Sequence, residues 1–518
     1  MKLFNKIWSK FEAQVFWQYL LLFFFSIILF GYIQAGPSFA DPDSFFHAKI
    51  SQLIYEQGIV YDFPWLTATN LQQDFIDHHF LYHLISVPFL LIFNPLVGIK
   101  IASVFFATVF ILVFFWFLRS FKVKGALWFA LFLLTVNPFI FRLNLAKAPA
   151  LALILFFLTI NFLFYRRYFA LALCSFAYVW LYGGWPSAIG LSFIYLIFSF
   201  IWPVIWHGGF AAKFGKAKIV WQAIFSFLFS LLGIFAGIVL SPYFPKNLKF
   251  YWQQIVEIAL LNYQNVINVG AEWYPYLPQD LILAALPFAL FFILALIIFT
   301  LNFRRQPMVN WYVLVISLIF MILTLKSRRY VEYFIPLAWA FVALTVNNSL
   351  QKIQKYFSPI ISYSYLRLFP LVLLLALSPI FIRDIKLIKN DYTNGIPFSR
   401  FIQSSAWLKA NSSPGDIVFH SDWDEFPILF YHNHLNYYLA GLDPTFTYRY
   451  DQNIYRQWTE ITAGYNIANL NRIIKQVFGA RYVFIDKNQN QSMAALFAGQ
   501  VDFSEVYQDN EAVIYEVK

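Results

Sequence analysis

Ala40-Asp41-Pro42-Asp43-Ser44-Phe45-Phe46-His47 sets two carboxylates and an imidazole just beyond the first long apolar stretch, Phe16 to Ala35. Such carboxylates can take a proton from an acceptor group or hold a hard divalent cation through oxygen. Charges beside a membrane-crossing segment are costly unless they are used. The plainer reading is a helix N-terminus, with an Asp as cap on a helix running on through His47, Ile50 and Ile54. A second acid, Glu272, stands alone among aromatics in Gly270-Ala271-Glu272-Trp273-Tyr274-Pro275; its ordinary alternative is a solvated carboxylate near Lys246 or Lys249. Asp77-His78-His79 with His83 has metal-ligand residue types, and His79 and His83 fall on one helix face. Without a cysteine or a following acid, substrate contact by His78 and His79 is favoured over zinc.

Basic residues also stand at the outer ends of two apolar segments, against the usual inside bias. Arg142 and Lys147 follow the third apolar segment, and Lys326, Arg328 and Arg329 follow the ninth. They suit a phosphate, with snorkelling to lipid headgroups as the alternative. Near the C-terminus, Ser421-Asp422-Trp423-Asp424-Glu425 follows the strand-like Ile417 to His420. Acids and aromatics at the carboxyl end of a strand suit a sugar or a peptide, although ordinary turns share part of this composition.

The elements that must position these residues are membrane helices. Of 518 residues 60% are hydrophobic, 22% aromatic and only 12% charged, whereas soluble proteins carry about 25% charged residues. The single cysteine, Cys174, excludes disulfides within the chain and cysteine metal clusters. The net charge of +11 is spread in short clusters between apolar segments, which excludes a nucleic-acid patch and reads as a topology signal. Lys2, Lys6 and Lys10 then lie inside, and eleven spans follow. They run Phe16 to Ala35, Ile99 to Leu118, Ala126 to Phe141, Ala148 to Tyr165, Phe169 to Leu181, Ala188 to Ile205, Ile219 to Leu240, Leu281 to Thr300, Trp311 to Leu325, Val331 to Val346 and Leu366 to Ile382. Phe80 to Phe93 is too short to span and reads as interfacial or re-entrant. The expected organisation is a transmembrane domain over 1–384, with external loops 36–98 and 241–280, and an extracytoplasmic domain over 385–518. In that tail, strand-like Asp416 to Phe419, Tyr482 to Ile485 and Ala512 to Tyr515 alternate with helical Arg400 to Lys409 and Ala468 to Phe478, as in a small α/β domain. No P-loop or dinucleotide glycine motif occurs.

In chain order, an Asp-x-aromatic-aromatic-His after the first span, a loop Glu before an aromatic and Pro, and a Trp-Asp pair in an α/β tail resemble the catalytic subunit of oligosaccharyltransferases. These belong to the GT-C superfamily of membrane glycosyltransferases, and the likeness of layout covers most of the chain. The resemblance implies a polytopic α-helical fold of about eleven to thirteen spans with a C-terminal extracytoplasmic α/β domain, in the plasma membrane. It implies that Asp43 binds a divalent metal, Mn or Mg, and engages the acceptor, and that Glu272 completes the metal site. The family's acceptor-reading Trp-Trp-Asp is matched in part by Trp423 and Asp424, with Asp422 at the first Trp. Where the family carries a second acidic pair, this chain reads Arg142-Leu143-Asn144-Leu145-Ala146-Lys147-Ala148-Pro149, and Val269 replaces the Ser or Thr that opens the loop motif. The activity implied is sugar transfer from a polyprenyl-phosphate or polyprenyl-diphosphate donor to a protein or glycan acceptor. Asp43, Asp41 and Glu272 would be catalytic, with His47, His78, His79, Arg142, Arg329, Trp423 and Asp424 on substrates. The basic segment lowers the expected dependence on metal. The rival readings are a transporter and a non-catalytic scaffold for envelope polysaccharide export.

Overall fold

A computed structural model describes residues 14–206, 213–261, 263–357, 363–465 and 468–518. Lys2, Lys6 and Lys10 of the topology reading lie outside them. All eleven apolar segments coincide with helices. Six are long and apolar enough to cross a membrane: Val15–Gln34, Pro95–Ser120, Ala217–Val239, Met308–Lys326, Arg328–Ser349 and Leu368–Thr393. At about 1.5 Å per residue the 26 residues of Pro95–Ser120 exceed a hydrocarbon core of about 30 Å. Two more segments are bent pairs, Ala126–Leu133 with Asn137–Leu143 at 80° and Pro278–Ala284 with Leu286–Leu301 at 102°. In both, a proline opens the second helix, Pro138 or Pro287, where a missing backbone N–H costs nothing. Pro149–Tyr165, Tyr168–Leu181 and Pro186–Trp206 are shorter or less uniform apolar helices. The chain is a polytopic α-helical membrane protein with a small mixed sheet near its C-terminus.

By contacts it divides into two compact units, each discontinuous in sequence. The first comprises Met1–Gly36, Ile101–Leu240 and Glu272–Tyr392; the second comprises Pro37–Lys100, Ser241–Ala271 and Thr393–Lys518. Position 384, where the sequence reading divides the domains, falls inside the helix Tyr363–Thr393. Within the first unit, Leu228, Leu232, Phe235, Leu294 and Ile297 point outward, as they would toward lipid. Its helices Tyr168–Leu181 and Lys213–Val239 approach closely because Gly233 and Gly237 are small. A Cβ on Gly233 would run into the Ala172 carbonyl, and one on Gly237 would lie 2.9 Å from Val179 Cβ. Trp180 Nε1 donates to the Gly237 carbonyl across this seam at 2.8 Å.

The second unit has strands β1 (Ser38–Phe39), β2 (Ile396–Pro397), β3 (Ile417–His420), β4 (Tyr437–Tyr438), β5 (Ala480–Asp486), β6 (Phe503–Gln508) and β7 (Ala512–Val517). β1 pairs antiparallel with β2. The others form one sheet in the order β4-β3-β5-β7-β6, parallel on its β4-β3-β5 side and antiparallel beyond. Buried Phe419, Val483, Ile485, Val513 and Tyr515 pack on one face against Trp458, Ile461, Ile474 and Phe497. The loops join this domain directly. Tyr438 N donates to the Trp65 carbonyl at 2.8 Å and Thr67 N to the Tyr438 carbonyl at 2.8 Å, so residues of the first loop extend the sheet edge. The loop of 241–271 is tied in by Lys249 to Asp74 at 2.5 Å, Tyr243 Oη to the Val60 carbonyl at 3.0 Å, and Arg449 to Glu257 at 2.9 Å.

Candidate active site

In the first unit the bend after Leu133 allows Asn137–Leu143 to carry Arg142 in its last turn, where helix carbonyls favour a cation. Glu272 sits in the short turn Ala271–Trp273. Ser327 Oγ donates to the Glu272 carbonyl at 2.9 Å and Arg328 N to the Tyr274 carbonyl at 3.0 Å, which fixes this loop against the turn Arg328–Tyr330. Glu332 lies in the first turn of Val331–Phe357, where a helix favours an acid.

These elements bring four charges together. Arg142 Nη1 lies 2.6 Å from Glu272 Oε2, and its Nε and Nη2 each lie 3.0 Å from Glu332 Oε2. Arg329 Nη1 lies 3.6 Å from Glu272 Oε1. Its Nη2 donates to Tyr182 Oη at 2.8 Å, and its guanidinium stacks 4.2 Å from the centre of the Trp273 ring. Gly184 makes room for that tyrosine, since a Cβ there would sit 2.8 Å from the Tyr182 ring. The Glu332 side chain is 1% exposed and that of Glu272 24%, so the cluster is dry on one side and accessible on the other. Burial alone would raise the Glu272 carboxyl; Arg329, Arg142 and Lys147 overcome this and hold it below the usual carboxylate range. Two guanidinium groups, those of Arg142 and Arg329, thus face the one Glu272 carboxylate.

At the Glu272 half of the expected divalent-metal site, the carboxylate is already paired with guanidinium groups. Both Glu272 oxygens face guanidinium groups, and Glu332 is taken by Arg142. Among the described residues, no group of three or more His, Cys, Asp and Glu side chains is placed to hold a metal ion.

The remaining expected residues lie in the second unit. Asp43 opens the helix Asp43–Gln57, whose N-cap is Pro42 and which has no side-chain cap, and Asp41 Oδ1 accepts from Asp43 N at 3.0 Å in a local turn. One turn on, His47 Nδ1 lies 2.7 Å from His83 Nε2, and His83 Nδ1 donates to Asp77 Oδ2 at 2.7 Å. His47, His83 and Asp77 are buried. A carboxylate at one end fixes the His83 ring as Nδ1–H, which leaves its Nε2 to bond His47. His79 donates its backbone N–H to Asp77 and sets its ring 5.2 Å from His47, with the His78 ring 3.9 Å from that of His79. The sequence had singled out His83 and Asp77 for their residue types, while their pairing with His47 was not readable from spacing. Trp423 and Asp424 lie in the turn Trp423–Glu425, which is closed by a reciprocal cap between Asp422 and Glu425. Trp423 packs partly buried against the domain core, and Asp424 is exposed. Sequence reasoning missed Glu332, although an acid within an apolar helix is itself a signal.

The sequence matches no protein-family model and no curated protein. Solved structures do resemble it. An archaeal oligosaccharyltransferase, AglB from Archaeoglobus fulgidus in complex with an inhibitory peptide and a dolichol-phosphate, superposes with a TM-score of 0.62 at 12% identity, over 96% of this chain and 74% of that one. The same enzyme in complex with Zn and sulfate gives 0.58 at 12% identity, covering 96% and 73%. The mycobacterial arabinofuranosyltransferase AftD gives 0.55 at 12% identity, over 96% of this chain and 40% of that longer one. The chain therefore has the fold of the GT-C membrane glycosyltransferases, to which both neighbours belong.

Proposed function

We propose that this protein is a membrane glycosyltransferase that moves a sugar from a polyprenyl-phosphate or polyprenyl-diphosphate donor to an extracytoplasmic protein or glycan acceptor. The observation that carries the reading is the pair of guanidinium groups, Arg142 and Arg329, gathered at the partly exposed Glu272 in a chain with the GT-C fold. Guanidinium groups suit phosphate because their N–H donors form paired hydrogen bonds with its oxygens. A lipid-linked donor and a peptide acceptor are supported by the dolichol-phosphate and peptide bound by the archaeal neighbour.

In this reading the acceptor attacks the anomeric carbon. The bond from that carbon to the phosphate oxygen breaks, the electron pair leaves with the phosphate, and the acceptor's proton passes to a carboxylate. Asp43 is that carboxylate, with Asp41 holding its backbone. Arg142 and Arg329 meet the charge on the departing phosphate, while His47, His78, His79, Trp423 and Asp424 are contacts for the substrates. The positive-inside pattern of the sequence supports a C-terminal domain outside the plasma membrane.

The test supplies purified full-length protein with radiolabelled lipid-linked sugars and peptide or glycan acceptors. Labelled product that disappears with Asp43→Ala is expected. Wild-type protein that binds such lipids without turning them over with any acceptor would favour the scaffold reading.

A further inference from the structure

The Glu272–Arg142–Glu332 arrangement bears on how the reaction is supported. We infer that Arg142 is the built-in cation of this site: its guanidinium, bridging Glu272 and Glu332, serves in place of a divalent metal ion, and sugar transfer by this chain needs no metal. The inference rests on the proposed glycosyl transfer and adds its cofactor requirement.

The geometry leaves an ion little to bind. Hard divalent cations take six or more oxygen ligands, several from carboxylates. Here Glu272 presents Oε2 to Arg142 at 2.6 Å and Oε1 to Arg329 at 3.6 Å, and Glu332 gives Oε2 to both Nε and Nη2 of Arg142. Releasing Glu272 or Glu332 for a metal would strip Arg142, whose side chain is only 10% exposed, of one of its two carboxylate partners. A divalent ion at Glu272 would also face two guanidinium groups at short range, a repulsion that low-dielectric surroundings strengthen. Arg142 occupies the very segment where the resemblance calls for acids. A guanidinium cannot shed its proton at any working pH, so its charge is as permanent as that of an ion. It supplies directional N–H donors that a bare ion lacks, and Arg329, held by Tyr182 and Trp273, supplies a second set. Both residues position and neutralise the phosphate; neither gains nor loses a bond in the transfer.

The experiment uses the full-length protein in detergent, stripped with a chelator. Manganese binding is read by electron paramagnetic resonance and transfer by the radiolabelled assay. Expected are wild-type transfer that persists after chelation, no stoichiometric manganese, and a loss on the order of 100-fold in Arg142→Ala that manganese does not restore. Arg142→Lys should retain part of the activity, and Arg142→Asp, which removes the guanidinium and adds an acid, should gain manganese binding. The wild-type arms decide the matter even if a variant fails to fold. Transfer that vanishes on chelation and returns with manganese would overturn the inference, and so would one tightly bound manganese per wild-type chain that Glu272→Gln abolishes. Wild-type protein inactive under every condition would defeat the glycosyltransferase reading, while the manganese measurement would still decide whether this site holds a metal.

Discussion

The two units solve the same problem, a cluster of polar groups shielded from water, by opposite means. In the first, two guanidinium groups and two carboxylates hold one another as ion pairs. In the second, His47, His83 and Asp77 form a chain in which a single carboxylate orders two imidazoles. A cluster of buried ion pairs is costly to open, because removing one member strands another in a poorly solvated place. A chain of imidazoles costs less to interrupt, and its protons can shift. The contrast shows where strength and where adjustability reside in this molecule.

The sharpest way to break the comparison is to remove Glu332. Glu332→Ala leaves Arg142 with Glu272 alone, and the expected loss is about 3 kcal/mol, as for other broken buried pairs. It is checked by thermal unfolding in detergent beside Arg329→Ala, whose partner Glu272 is more exposed and whose loss should be smaller. Near-equal effects would mean that Glu332 carries no special burden.

Asp77→Asn should cost less, about 1.5–3 kcal/mol for a charge-assisted hydrogen bond. It should also free His83 to take either tautomer, which nitrogen-15 spectra of histidine-labelled protein would register as a change at the His83 ring. An unchanged ring would show that Asp77 does not set the tautomer. A cost above that of Glu332→Ala would reverse the ranking of the two clusters.

The smallest expected effect is one of pH. Burial holds His432, in the second unit, down to about 4 from an ordinary 6.5. Between those values the unfolded chain takes up a proton that the folded unit refuses, so stability falls as pH falls, by at most about 1.4 kcal/mol per pH unit. The Glu272 carboxyl is held low, so its contribution is present above the ordinary 4.5 and is lost only at still lower pH. Hydrogen exchange from pH 7 to 5, corrected for intrinsic rates, should show protection lost around 426–432 and kept around 272–277. His432→Phe should abolish the loss.

How much of this was legible in the chain depended on the range of the interaction. Every expected span falls on a helix or a bent helix pair, and among the described residues six are long and apolar enough to cross a membrane, or eight with each bent pair taken as one. The break between Leu133 and Asn137 was marked by Asn137-Pro138 yet read as continuous, since hydropathy averages over a kink. In the tail β3, β5 and β7 were visible as apolar runs. The two-residue β4 is too short to register, and β6 alternates buried and exposed residues without an apolar run. The site was legible as residue types and hardly at all as partners. Arg142 was read as a phosphate contact and Glu272 as a metal ligand, and the structure pairs the two across 130 positions of sequence. Glu332, 190 positions from Arg142, went unread because a lone acid in an apolar helix does not name its counter-ion.

The pairing of Thr67 with Tyr438 also sets a timetable. These residues are 371 positions apart, and the first of them leaves the ribosome long before its partner exists. At roughly 5–20 residues per second the first loop waits on the order of 20–75 seconds for the strand it must join. During that interval Trp65, Leu66 and Phe63 have no sheet or helix of the C-terminal domain to cover them. The second unit can therefore be completed only after the chain between its first and last segments has been made. Its aromatic first loop is the segment that a chaperone would have to shelter on the way.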